Sequence, residues 1–261
     1  MPDGLEGLLA SNAVPQKVVS GMGRAEGPVF SRLGYLLFSD TAAGRIMKWK
    51  AGETSIFRQN SNGSIGLTFD HQGRLLACER GRVTRTEKNG GITVLAGRLR
   101  APHDLVYAID GSIYFSDAAP APADSAVCQI TSKGEVRVVS RDCQLPHGVA
   151  LAPNQQKLYA ADAGAGKIWV YDISGDGALS HGRVFAAARS HGLKTDEKGN
   201  VWAVDDRSVT VFDSQGRRLG EIPMPEDAGN CTWGDGFRNL YVTAKTSVYK
   251  IETRVNGTRT Y

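Results

Sequence analysis

Apolar and polar residues alternate with period two along most of the chain, in short runs separated by Gly, Asn, Asp and Pro. That period marks half-buried strands. Helix-spaced patterning is confined to DGLEGLLAS at 3–11, where one short surface helix is expected. The strand runs recur on one plan: an apolar strand, a turn, a second apolar strand and a closing acid. The copies are EGPVFSRLGYLLFSD from Glu26, IGLTFDHQGRLLACE from Ile65, HDLVYAIDGSIYFSD from His103, HGVALAPNQQKLYAAD from His147, HGLKTDEKGNVWAVD from His191 and NCTWGDGFRNLYVTA from Asn230.

Successive copies begin 38 to 44 residues apart, the period of four-stranded propeller blades. A third run follows the closing acid, as in GRIMKWK at 44–50, GKIWVYD at 166–172 and SVTVFD at 208–213, and a fourth follows in several copies, as in TSIFRQ, ITVLAG, VRVVS and RVFAA. Sheets of this kind cannot bury both faces alone, so they stack around an axis into a ring without long exposed edges. The expected fold is all-β: a six-bladed β-propeller of four-stranded antiparallel blades around a central channel, with residues 1–261 as a single domain. Residues 1–25 form a lead-in, in which QKVVSG at 16–21 has the alternation of a strand that pairs with the last copy and closes the ring.

The first strand of each blade lines the channel, so the six starting residues form a ring at one end of it: Glu26, Ile65, His103, His147, His191 and Asn230. Three of the five histidines occupy it. Three imidazoles with one carboxylate are a donor set for a divalent transition metal. Without an ion they would crowd polar groups against one another in the channel. The expected ligands are therefore Glu26, His103, His147 and His191, with positions left open for substrate. Zn(II) or Fe(II) is favoured over Mn(II) and Ca(II), because hard cations prefer all-oxygen sets. His71 and His181 fall in DHQG and SHGR turns and are read as turn residues.

The closing acids Asp40, Glu79, Asp117, Asp162 and Asp205 are read as turn acids bonding nearby backbone amides. Ala244 stands in that place in the last copy. Asp104 alternates away from His103 and is either an acceptor orienting a ligand imidazole or a buried turn acid. Asn230 is either a donor to a substrate oxygen or a strand cap, and Ile65 gives the ring one apolar wall. Arg80, Tyr107 and Trp233, close in sequence to ring positions, either line the pocket mouth or serve as solvated Arg and aromatic core. Cys231 beside Asn230 is read as structural.

Composition narrows the setting. The chain is 41% hydrophobic and 22% charged, with a net charge of +4. Its basic residues are scattered, which gives no footprint for nucleic acid. Cysteines at 78, 128, 143 and 231 form no CxxC, so buried thiols are expected rather than disulfides or a zinc ribbon. No signal-peptide pattern and no run long enough to span a bilayer is seen, and a cytoplasmic location without membrane partners is expected. Asn62-Gly-Ser64 and Asn256-Gly-Thr258 match the glycosylation sequon but read as turns. The chain lacks a GxSxG elbow, a Walker loop and a GxGxxG in strand-to-helix context, so nucleophilic serine chemistry and nucleotide binding lack support.

AEGPVF at 25–30, SDTAAGRIMKWK at 39–50, GLTFDHQGRLLACERG at 66–81, LPHGVALAPN at 145–154 and GLKTDEKGNVWAV at 192–204 resemble the senescence marker protein/gluconolactonase/luciferin-regenerating-enzyme family, blade for blade. The resemblance implies a six-bladed propeller with one divalent metal in the channel and, for many members, lactone hydrolysis. It also implies metal ligands at Glu26, His103, His147 and His191, where the family carries Glu, Asn, Asn and Asp. The PH-containing strands PHDLVYAIDGSIYFSD and PHGVAL are similar to repeats of the peptidyl-hydroxyglycine amidating lyases, propellers whose zinc is held by three histidines. The expected function is metal-dependent hydrolysis of a lactone or ester of small size. A metal-dependent lyase, isomerase, cyclase or Fe(II)/O2 reaction is the alternative, and a non-enzymatic binding propeller the second alternative.

Overall fold

The computed structural model describes residues 4–119 and 121–259. Among them, 24 strands pair into six four-stranded antiparallel sheets, and one 3-10 turn at Pro122–Asp124 is the only helical element. The innermost strands are β2 (Ala25–Ser31), β6 (Leu67–Phe69), β10 (Pro102–Tyr107), β14 (Pro146–Leu151), β18 (Gly192–Thr195) and β22 (Ala228–Gly234). Each lies beside the next, and β22 returns to β2, so the sheets form a closed six-bladed propeller. Apolar faces pack between blades: Trp202 of blade 5 meets Trp233 of blade 6 edge to face, with ring centroids 5.2 Å apart.

The ring closes by strand exchange across the chain termini. β1 (Gln16–Val19) pairs antiparallel with β24 (Ser247–Glu252), placing Gln16 opposite Lys250 and Val19 opposite Val248. This is the closure expected from the QKVVSG alternation. Glu226 reinforces it, accepting Lys17 Nζ at 2.8 Å, Ser247 Oγ at 2.7 Å and Tyr249 Oη at 2.8 Å through one oxygen, and Thr246 N–H and Oγ1 through the other.

The expected helix at 3–11 does not form; Asp3 lies outside the described residues, and residues 4–11 make turns and one bridge, Leu9 to Thr253. Leu5, Leu8 and Leu9 are buried against blades 5 and 6 rather than presented on a surface helix. A segment this short gains little from helical hydrogen bonds relative to the entropy of nucleating them. Burying three leucines in the inter-blade groove prevails.

The closing acids behave as turn acids. Asp40 accepts the N–H groups of Gly23 and Arg24, Asp117 those of Arg100 and Ala101, Asp162 those of Gln144 and Leu145, and Asp205 those of Arg207 and Ser208. In the first three cases the bonded amides lead into the same blade's innermost strand, so the acid fixes where the ring residue begins. Glu79, one methylene longer, instead bonds the side chains of Arg58, Arg82 and Thr84.

The hub is held by close backbone approach. A Cβ on Gly148 would lie 2.8 Å from Gly192 Cα, and one on Gly192 would lie 2.3 Å from Asn230 Oδ1. Only glycine fits where successive innermost strands converge. All four cysteines are buried and unpaired. No helix among the described residues is long and apolar enough to cross a membrane.

Candidate active site

In blades 1, 3, 4 and 6 a β-bulge interrupts the innermost pairing beside the ring residue: between Glu26 and Val29, Pro102 and Leu105, Pro146 and Val149, and Ala228 and Asn230. A bulge re-aims the side chain it carries, and here it turns Glu26, His103 and His147 toward one end of the channel. His191 precedes β18 and is anchored by its N–H to Val204 O at 2.7 Å. Ser116, from the FSD end of β11 (Ile113–Asp117), donates to His147 O at 2.5 Å and accepts Asp104 N–H at 3.0 Å, tying two ring positions together.

Glu26, His103, His147 and His191 line one cavity of about 310 Å³. The His103 and His147 rings stack with centroids 4.0 Å apart and planes 7° from parallel. His147 Nδ1 stands 3.3 Å from His191 Nδ1, and His191 Nε2 stands 3.0 Å from Asp206 Oδ1. A carboxylate only accepts, so neutral His191 carries its proton on Nε2 and turns an unprotonated Nδ1 toward His147. Burial first, with the neighbouring His191 and Arg24 adding to it, pushes His103 down to about 4. Burial and the adjacent His103, His191 and Arg189 push His147 down to about 2. Both imidazoles are neutral at pH 7, the form that ligates a metal. Burial raises Glu26, opposed by Arg24, whose Nε lies 3.1 Å from Glu26 Oε1.

The donor set fits a transition metal in chemistry and partly in geometry. His103 Nδ1 is buried without a hydrogen-bond partner, an orphan that a ligand to it would satisfy. Two nitrogens bound about 2.0–2.1 Å from a tetrahedral ion stand about 3.3–3.4 Å apart, the separation found between His147 and His191. Among the described residues no three or more His, Cys, Asp or Glu close into a finished ligand cluster. A ligating imidazole holds its ion near its own ring plane, and two planes 7° from parallel do not meet close to both rings, so His103 must turn about its side-chain torsions to share an ion.

Other sequence candidates lie elsewhere. Asp104 is buried and is not part of the lining; its carboxylate accepts Val149 N–H and a hydrogen bond from Asn230. Asn230 is likewise buried, and its Oδ1 accepts Cys231 N–H. Blade 6 shows the cavity Ala228 and Gly229 in its place. Ile65 is held by backbone bonds to Cys78 O and Ser39 Oγ and is not part of the lining. Arg80 is exposed, away from the cavity, packed beside Gly63. Tyr107 and Trp233 sit at the far ends of β10 and β22; Tyr107 bonds His71 Nδ1 at 2.5 Å, and Trp233 Nε1 donates to Thr195 O. Strand direction decides this, because four or more residues along an innermost strand carry a side chain to the opposite mouth.

Four charged residues of the lining escaped the sequence reading: Arg24, Asp206, Asp227 and Lys245. All come from loops between repeats or strands, where no periodicity marks a position. Arg24, two residues before Glu26, was the most accessible by alternation.

The SMP-30/Gluconolactonase/LRE-like region matches residues 24–246. The chain belongs to this family. It is 24% identical to a gluconolactonase of Zymomonas mobilis over 97% of this chain and 85% of that one. A solved gluconolactonase of Xanthomonas campestris superposes with a TM-score of 0.89 at 27% identity, covering 97% of this chain and 93% of that one. A calcium-binding protein of Agrobacterium tumefaciens, regucalcin, shares the fold at a TM-score of 0.83 and 14% identity, over 94% and 95%.

Proposed function

We propose that the cavity hydrolyses the ring ester of a small lactone. The observation that carries this reading is the gathering of Glu26, three imidazoles and two cationic side chains, Arg24 and Lys245, around one open cavity. Gluconolactonases among the relatives support the reaction class. A divalent metal held by Glu26, His103, His147 and His191, Zn(II) or Fe(II) before Mn(II) or Ca(II), would supply Lewis-acid polarisation of the lactone carbonyl and acidify water there.

The chain's own residues divide the remaining work. Asp206 accepts His191 Nε2–H and fixes the ring with Nδ1 turned inward. Arg24 offsets the buried Glu26 charge and, with Lys245, faces the negative charge that develops as the ester opens. No hydrogen bond or ion pair among the described residues engages the Asp227 carboxylate, which lines the cavity and stands ready to take the proton of an attacking water. The ring C–O bond breaks, the ring oxygen leaves as a hydroxyl, and the product is a hydroxy acid. A cytoplasmic small-molecule enzyme is part of the same reading.

The second reading, a metal-dependent lyase, isomerase, cyclase or Fe(II)/O2 reaction, rests on His191 standing where the resemblance expects an aspartate. Sugar and aliphatic lactones assayed with Zn(II), Fe(II) under anaerobic conditions, Mn(II) and Ca(II) separate the two. The hydrolytic reading expects turnover that a chelator abolishes. No turnover with any of the four metals overturns it.

A further inference from the structure

Beside the histidine cavity runs an open groove of about 770 Å³, joined to it through Asp206 and Asp227, which line both. Its walls are the turn at 205–208 and the connection at 221–227. The acids of this groove are nearly all engaged within the protein. Asp205 accepts two backbone amides, Asp206 holds His191, Glu221 pairs with Arg218, and Glu226 clasps the ring-closing strands. The cations are not. Arg189 and Arg207 are exposed, line the groove, and have no ion pair or side-chain hydrogen bond among the described residues. Arg189 stands two residues before the cavity residue His191 in the chain.

Resting on the lactone-hydrolase reading, we infer that the preferred substrates are lactones carrying a compact oxyanion, a carboxylate or a phosphate, remote from the ring ester. Arg189 and Arg207 bind that group. Guanidinium forks pair with either oxyanion through two parallel N–H···O bonds. The smaller cavity takes the ring while the groove takes the charged substituent. Because both guanidinia are solvent-exposed, the contribution is screened by salt.

The test compares glucono-δ-lactone with its 6-phosphorylated counterpart and with a glucaric acid lactone bearing a free carboxylate. For the wild type, kcat/KM is expected to be at least tenfold higher for a charged lactone than for the neutral one, and this ratio to fall as ionic strength rises. Arg189→Ala and Arg207→Ala are expected to lower the ratio about tenfold, through KM. The phosphate and carboxylate arms show which oxyanion the groove prefers. Isothermal titration with 6-phosphogluconate and with gluconate gives a second readout, independent of turnover. Equal or lower kcat/KM for the charged lactones overturns the inference and leaves lactone hydrolysis standing. Tight binding of 6-phosphogluconate that Arg207→Ala weakens, with no lactone turned over, supports the anion subsite and overturns the hydrolytic reading instead.

Discussion

His191 joins two partners at once: its Nδ1 stands 3.3 Å from His147 Nδ1 and its Nε2 stands 3.0 Å from Asp206. The acidic partner selects the tautomer that leaves a lone pair facing the cavity. Replacing Asp206 by Ala is expected to weaken metal binding 10- to 100-fold, the usual effect of removing a carboxylate behind a ligating imidazole. Asn, which keeps an acceptor oxygen, restores part of the loss. Competition with a chromogenic chelator measures both variants, and equal affinity for wild type and Asp206→Ala would remove Asp206 from the site.

Asp227→Asn is expected to lower kcat 10²-fold or more, in the range of general-base contributions, with little change in KM. A kcat within threefold of wild type assigns proton transfer to another group.

The imidazoles make a distinct demand on pH. With folded values near 4 for His103 and 2 for His147, against about 6.5 unfolded, the unfolded chain takes up protons first as pH falls. Stability from this source is complete above about 6.5 and declines as pH falls, toward about 4 for His103 and further for His147. In chelator, unfolding free energy should drop by about 1–2 kcal/mol per imidazole between pH 6.5 and 5. Urea denaturation of wild type against His103→Asn/His147→Asn checks this. An identical pH slope in the two proteins would contradict it.

Gly148→Ala places a methyl group 2.8 Å from Gly192 Cα, and backbone must move. A loss of about 2 kcal/mol or more is expected, with weaker metal binding as His147 and His191 separate. Glu226→Gln acts at the rim. Burial works against the Glu226 carboxylate, yet Lys17, Ser247 and Thr246 hold it well below the usual range, so losing its charge should loosen ring closure by about 1–3 kcal/mol. Denaturant midpoints check both. A Gly148→Ala protein as stable as wild type would show that the hub tolerates wider strand spacing.

The fold was readable because each blade writes the same period-two pattern, and even the closing strand at 16–19 keeps that alternation. The ring histidines were readable because equal places in the repeat become equal places around the axis. Asp206 and Asp227 were not, because they lie on turns whose reach depends on neighbouring blades. For Tyr107 and Trp233 the aromatic-core alternative is the one realised, because nearness in sequence along a strand means distance along the channel. The three leucines near the start carry helical spacing, but burial between blades decides their conformation.

The central claim, that Glu26 and three imidazoles share one ion, is tested most directly by titrating tag-free, chelator-stripped protein with Zn(II) and with Fe(II), wild type against His147→Ala. One ion per chain in the wild type, and binding at least 100-fold weaker in a variant whose β-sheet circular dichroism is unchanged, is the predicted result. Binding that His147→Ala leaves untouched, or no stoichiometric binding of either metal to the wild type, would contradict the account.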